Sequence, residues 1–194
     1  MASLSTAATV ETQEDLLRFD LGGVGRRPGG RLSVNLAANC DIRHDFTDLD
    51  GFVMEDGIVD EFFLSHALEH VPIDRYWDFL GDLRRKLKPG GRVVVVQTDA
   101  AQVIKQWLTG QLTFRAMRAT IFTPEDRIGT NPLNRHQNMW SADELARDFQ
   151  HLGFTVSTFG AGSWPYDFTS ERFPEDFESC QGVPIQNLGV IATK

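Results

Sequence analysis

The residues best suited to chemistry sit in one short stretch, Ser65-His66-Ala67-Leu68-Glu69-His70, which leaves an apolar run and meets Pro72 two residues later. Imidazoles titrate near neutrality, so His70 first, then His66 and the distant His136, are the candidate general bases. H-x-x-E-H is also a zinc-protease pattern, but that chemistry needs all its groups on one helix. Pro72 leaves no room for two helical turns, so the protease reading is rejected. A second group is Asp20-Leu21-Gly22-Gly23-Val24-Gly25. A glycine turn lets backbone N–H groups approach a ligand closely, and an acid at a strand end can bind an ammonium. This is not a phosphate cradle, because neither G-x-G-x-x-G nor G-K-[ST] is present.

Regular elements must hold these groups. Residues 16–21, 31–36 and 58–64 read as strands, the first ending at the glycines and the third at Ser65-His66. Residues 22–30 are short for the dozen residues of a parallel crossover. By pattern alone they also fit an antiparallel hairpin with a Pro-Gly-Gly tip. A helix is expected over 74–87, because Ile73, Trp77, Leu80, Leu83 and Leu87 share one helical face. Arg84, Arg85, Lys86 and Lys88 suit its solvated carboxyl end, and Pro89-Gly90-Gly91 stops it. Val93 to Val96 is the apolar run of a central parallel strand. A second helix is expected over 100–110, and residues 111–138 carry no clear pattern. Ser141 and Glu144 form a capping box for a helix with Leu145, Phe149 and Leu152 on one face. Strands follow at 154–159 and 185–193. Between them lies an aromatic-rich loop whose Ser163-Trp164-Pro165-Tyr166-Asp167-Phe168 reads equally as a lid or as core closure. Alternating strands and helices imply an α/β protein with a mostly parallel sheet, and such sheets bind ligands at the carboxyl ends of their strands.

Composition narrows the function classes. The 194 residues suit one domain, taken as 14–194 behind a loose arm over 1–13. A net charge of −8 argues against a nucleic-acid surface but not against a small-molecule substrate. Two cysteines outside any C-x-x-C pattern fit a reducing compartment. There is no signal-peptide pattern and no apolar run of the ~20 residues that span a bilayer. A cytoplasmic protein without membrane contact is the expectation, and oligomeric state is left open.

Several of these segments, in this order, resemble the class I S-adenosylmethionine-dependent methyltransferases, and most closely a compact group associated with glycan and small-molecule clusters. They are Arg18-Phe19-Asp20-Leu21-Gly22-Gly23, then Val34-Asn35-Leu36 with Cys40-Asp41-Ile42-Arg43-His44-Asp45-Phe46, then Val59-Asp60-Glu61 through Ser65 to Val71, then Leu87-Lys88-Pro89-Gly90-Gly91-Arg92. Leu152-Gly153-Phe154 and Asn187 to Ala192 look like the family's last two strands. The resemblance implies a Rossmann-like, seven-stranded, mostly parallel sheet with an antiparallel last strand and a short or missing first crossover helix. It implies S-adenosylmethionine as cofactor, with contacts at Asp20, Gly22, Gly23, Asn35, Asp45, Phe46, Ser65 and His66. Asp20 would take the ammonium. Asp45 would accept from the adenine amino group while the Phe46 N–H donates, although Asp45 also suits a simple Asx-type turn.

The implied reaction moves a methyl group from sulfonium to an O, N or C nucleophile of a small molecule or sugar. Two departures support an alternative, a degenerate fold that binds the cofactor or a partner without transfer. The glycines alternate imperfectly, and Ala37 stands where the family places a ribose-binding acid. Some related O-methyltransferases hold a divalent ion with an E-x-x-E-H loop plus a distant group. Here His66 replaces the first Glu and His136 would be the distant group beside Glu69 and His70; because of that replacement the sequence predicts no metal and activity that survives chelation.

Overall fold

The structure is a computed structural model that describes residues 16–23, 30–53, 55–122, 135–160, 176–178 and 184–194. Short apolar runs become eight strands among these residues: β1 (Arg18–Leu21), β2 (Leu32–Asn35), β3 (Ile42–Arg43), β4 (Val59–Ser65), β5 (Leu87–Thr98), β6 (Thr155–Gly160), β7 (Asp176–Glu178) and β8 (Pro184–Thr193). Seven lie in the order β3-β2-β1-β4-β5-β8-β6, with β7 paired to β8 beside this path. From β3 to β5 every pairing is parallel, whereas β8 runs antiparallel to β5 and β6. This is the Rossmann-like sheet with an antiparallel last strand.

The link from β1 to β2 is a parallel crossover and not a hairpin, since Phe19 faces Leu32 and Leu21 faces Val34 in parallel register. The span is too short for more than a turn or two of helix, and its residues 24–29 lie outside the described ones. The arm over 1–13 and the Ser163–Phe168 stretch also lie outside them. β7 falls within the segment read as loop and adds a short pairing to β8.

Among the described residues four helices flank the sheet: α1 (Tyr76–Lys86), α2 (Ala100–Leu108), α3 (Phe114–Phe122) and α4 (Ala142–His151). The expected face of α1 is rotated. Ile73 and Trp77 are exposed, while Tyr76, Phe79, Leu80 and Leu83 are buried. Ile73 belongs to a separate 3-10 turn, Ile73–Arg75, which breaks the helical phase. The Tyr76 hydroxyl donates to Asp148 Oδ2 on α4 at 2.8 Å and so makes a polar residue worth burying. Residues 87–91 extend β5 backwards instead of merely stopping the helix. The basic end of α1 is an ion-pair network and not a solvated end. Lys86 is buried against Asp50 at 2.6 Å and Asp56 at 3.0 Å, and Arg85 bonds Asp50 and Asp82. The Ser141 cap forms as expected, its Oγ accepting from the Glu144 N–H.

β4 and β5 make the centre of the core. Phe62, Phe63, Leu64 and Val93 to Val96 are all buried, as strands covered on both faces require. Glu61 is the one charged residue in the buried part of β4, and its carboxylate is clamped between Arg31 and Arg92, each Nε at 2.7 Å. No helix among the described residues is long and apolar enough to cross a membrane. Because β1, β2, β3, β4 and β5 run in one direction, their carboxyl ends share one edge, and that edge brings Gly22, Asn35 and His66 together.

Candidate active site

A cleft of about 370 Å³ opens at this edge, lined by Gly22, Asn35, Leu36, Asp45, Phe46, Thr47, His66, Ala67, His70, Pro72 and Arg75. Its size falls within the ~300–1,000 Å³ of small-molecule sites. The floor is the turn after β1. Gly22 adopts φ +80°, and a Cβ there would stand 2.8 Å from Ala67 Cβ, so only glycine fits. A Cβ on Gly23 would meet the Asp20 carboxylate that packs beneath the turn. Asn35 fixes the same turn from β2: its Nδ2 donates to the Gly22 carbonyl at 2.7 Å and its Oδ1 accepts from the Ala37 N–H. On the far wall Asp45 Oδ1 accepts from the backbone and hydroxyl of Thr47, an Asx turn that presents Phe46 to the cleft.

The near wall is the loop after β4. His66 has φ +49°, the only positive φ outside glycine among the described residues. Such backbone is sparsely populated and clusters at functional sites. The turn brings His66 Nδ1 to 3.5 Å from Glu69 Oε1. Glu69 is buried. Burial pushes its carboxyl up, but the hydrogen bond and charge of His66 outweigh this and hold it below the usual range, with His70 assisting. Residues 136–139 are strapped along this loop. Gln137 and Asn138 N–H groups donate to the Glu69 carbonyl, and their side-chain amides donate to the carbonyls of His70 and Val71. The strap sets the His136 ring 5.1 Å from that of His70. Burial lowers the pKa of His136, against the opposing charge of Glu69, so its imidazole is neutral at pH 7.

Residues 28–158 match the sequence profile of the family described as Methyltransferase domain. The chain belongs to this methyltransferase family. No curated protein matches it. Its fold is that of solved S-adenosylmethionine-dependent methyltransferases. The Archaeoglobus fulgidus enzyme is 14% identical with a TM-score of 0.56, over 92% of this chain and 86% of its own. The Methanosarcina mazei enzyme is 14% identical with a TM-score of 0.51, over 94% of both. The 1,6-didemethyltoxoflavin-N1-methyltransferase of Burkholderia thailandensis, solved with S-adenosylhomocysteine, is 15% identical with a TM-score of 0.52, over 92% and 71%.

The methyltransferase's edge gathers most of the residues singled out by sequence. Gly22, Asn35, Asp45, Phe46, His66 and His70 all line the cleft. Asp20, Gly23 and Ser65 stand behind its surface, Asp20 being only 1% exposed. His136 lines a smaller pocket of about 20 Å³ with Glu69, Gln97 and Asn138. Ala37 was read as standing in the place of the ribose acid; β2 in fact ends two residues earlier, at Asn35, whose amide is used by the turn. Arg75 was not singled out: it reads as one more surface cation, and only the 3-10 turn carries it to the cleft mouth.

Proposed function

We propose that the cleft binds S-adenosylmethionine and that residues 14–194 act as one unit transferring methyl to an O, N or C nucleophile of a small molecule or sugar. The observation that carries this is the glycine floor, a cleft base with no room for a Cβ at Gly22, between the Asp45-Phe46 wall and the His66–His70 loop. Such a floor suits a ligand that needs backbone N–H donors at close range. The donor supplies a sulfonium that is already a good leaving group. The protein's part is orientation and desolvation, which can supply ~7–11 kcal/mol of the barrier.

Asp20 acts from beneath the Gly22-Gly23 turn, and Asp45 holds the wall that presents Phe46. Arg75, at the mouth, offers a cation to a carboxylate. His70 faces the cleft from the loop that should meet the acceptor. Its Nδ1 lies 3.4 Å from the Arg135 carbonyl, which makes that nitrogen the donor and leaves Nε2 with its lone pair. His66 pairs with Glu69 on the same loop, and the His136 ring stands 5.1 Å from that of His70. One observation favours the alternative of binding without transfer, namely the amide in place of an acid at the end of β2. A methyl-transfer assay over a substrate panel separates the two.

Asp45→Ala should weaken S-adenosylhomocysteine binding about tenfold or more, the worth of a charge-assisted hydrogen bond, and Asp20→Ala should weaken it by loosening the Gly22-Gly23 turn above the buried carboxylate. Calorimetry on folded variants measures it. Two variants that bind like the unmodified protein would place the cofactor elsewhere.

A further inference from the structure

The carboxyl end of β5 carries a polar side chain that methyl-donor binding leaves unexplained. Gln97 is 2% exposed, and neither its Nε2 nor its Oε1 has a hydrogen-bond partner among the described residues. Val93 to Val96, just before it on the strand, are buried in apolar packing. A leucine would suit such a place better, because a buried amide without partners is destabilising. A group left unsatisfied in this way calls for a partner from outside.

Gln97 borders the pocket of about 20 Å³ together with Glu69, Thr98, Ile121, His136 and Met139. Glu69 Oε2 is a second buried atom with no partner among the described residues. His136 Nδ1 faces the Ile121 carbonyl at 3.0 Å. A carbonyl only accepts, so the proton sits on Nδ1 and Nε2 keeps a lone pair. The residues around the pocket therefore supply one donor group, Gln97 Nε2, and three acceptors, Gln97 Oε1, Glu69 Oε2 and His136 Nε2. A volume of this size admits a single water or the edge of a flat polar group.

What adjoins the pocket argues for more than a water. A second pocket, of about 50 Å³, shares Ile121, His136, Asn138 and Met139 with the first and adds Phe122. Phe122 and Met139 are exposed apolar side chains at its border. A few polar groups beside apolar walls are the usual make-up of a small-molecule site. A sugar carries hydroxyls around its whole rim and would press some of them against Ile121, Phe122 and Met139. The two pockets also lie next to the cleft. Glu69 precedes His70, which lines the cleft, and the His136 ring stands 5.1 Å from that of His70.

We propose that these two pockets form the subsite for the methyl acceptor, and that the acceptor is a flat molecule with an amide-like edge, an N–H beside a carbonyl or ring nitrogen. A carboxamide, a lactam or an amino-substituted nitrogen heterocycle carries such an edge. Gln97 pairs with it twice, Nε2 donating to the carbonyl or ring nitrogen and Oε1 accepting from the N–H. Glutamine reads the amino and ring-nitrogen edge of adenine in the same way. A further N–H on the same nitrogen is left for Glu69 Oε2. The apolar part of the molecule lies against Ile121, Phe122 and Met139. The role as acceptor subsite rests on the methyl-transfer reading, whereas binding at Gln97 does not.

The test is NMR titration of the full chain with benzamide, which joins such an edge to an apolar ring, beside benzoate and methyl β-glucoside. Benzamide should bind in the millimolar range and shift the Gln97 side-chain NH2 resonance, identified by its absence from Gln97→Leu. Gln97→Leu and Gln97→Met should each weaken benzamide at least tenfold. Both should melt no lower than the unmodified protein, since they remove a buried amide that has no partner. Benzoate lacks the N–H and is repelled by Glu69, so it should leave the resonance unmoved. Calorimetry with S-adenosylhomocysteine should give the same affinity in both variants. Cofactor binding without benzamide binding, or with benzamide binding indifferent to the folded variants, overturns the subsite alone. The glucoside binding as tightly as benzamide, with the same dependence on Gln97, overturns the acceptor class. Benzamide binding at Gln97 in a chain that binds no cofactor overturns the methyl-transfer reading alone.

Discussion

His70→Ala should lower the methyl-transfer rate by ~10²–10⁴, while S-adenosylhomocysteine affinity changes by less than about tenfold. The ring projects from the short 3-10 turn Leu68–His70 and shares the cleft with Gly22, Asp45 and Phe46 on other elements. Its backbone is held independently of the imidazole, by the His70 N–H bond to the Ala67 carbonyl and the Gln137 amide bond to the His70 carbonyl. The side chain can therefore be removed without releasing the loop. His70→Gln keeps a polar group near the Arg135 carbonyl and serves as the folding control. Chelation of the unmodified protein should leave this rate unchanged, as expected of a proton acceptor that needs no metal. Folded variants with near-normal rates would make His70 a packing residue and shift attention to His136.

Glu61→Ala should destabilise the fold by ~3–5 kcal/mol, the cost of breaking a buried ion pair. The side chains of Glu61 and Arg31 are 1% and 6% exposed, so alanine would strand a buried guanidinium. Arg92 would lose its partner as well. For a chain of this size the melting temperature should fall by roughly 10 °C. A thermal melt followed by circular dichroism measures it. A shift of only a degree or two would mean that water reaches the clamp. This region lies on β4 at the opposite end from Ser65, so cofactor binding at permissive temperature should persist.

The parts of the fold that were legible in the sequence are those with local signatures. The Val93–Val96 run, the Ser141 cap and the glycine turn after β1 each announce themselves within a few residues. The α1 face was misread because a 3-10 turn changes the phase at Ile73–Arg75, and periodicity cannot register a break that short. Whether β2 runs parallel or antiparallel to β1 is settled by packing over the whole sheet and is invisible in ten residues. The basic end of α1 was read as solvated because its acids, Asp50 and Asp56, come from a different segment.

The site divides in the same way. Gly22, Asp45, Phe46, His66 and His70 follow strand ends and could be named from motif order. Asp20 was expected at the ligand surface, but the turn folds over it. His136 could be named as a candidate base, but not placed. What brings it to Glu69 and His70 is a set of backbone and amide hydrogen bonds from Gln137 and Asn138, and such pairing has no sequence signature. Arg75 needed the 3-10 turn to reach the cleft.

The most direct measurement is calorimetric titration of the full chain with S-adenosylmethionine and S-adenosylhomocysteine. Binding at one site per chain, weakened by Asp45→Ala and abolished by Gly22→Val, is the predicted result. No heat and no thermal shift with either ligand at millimolar concentration would contradict the account.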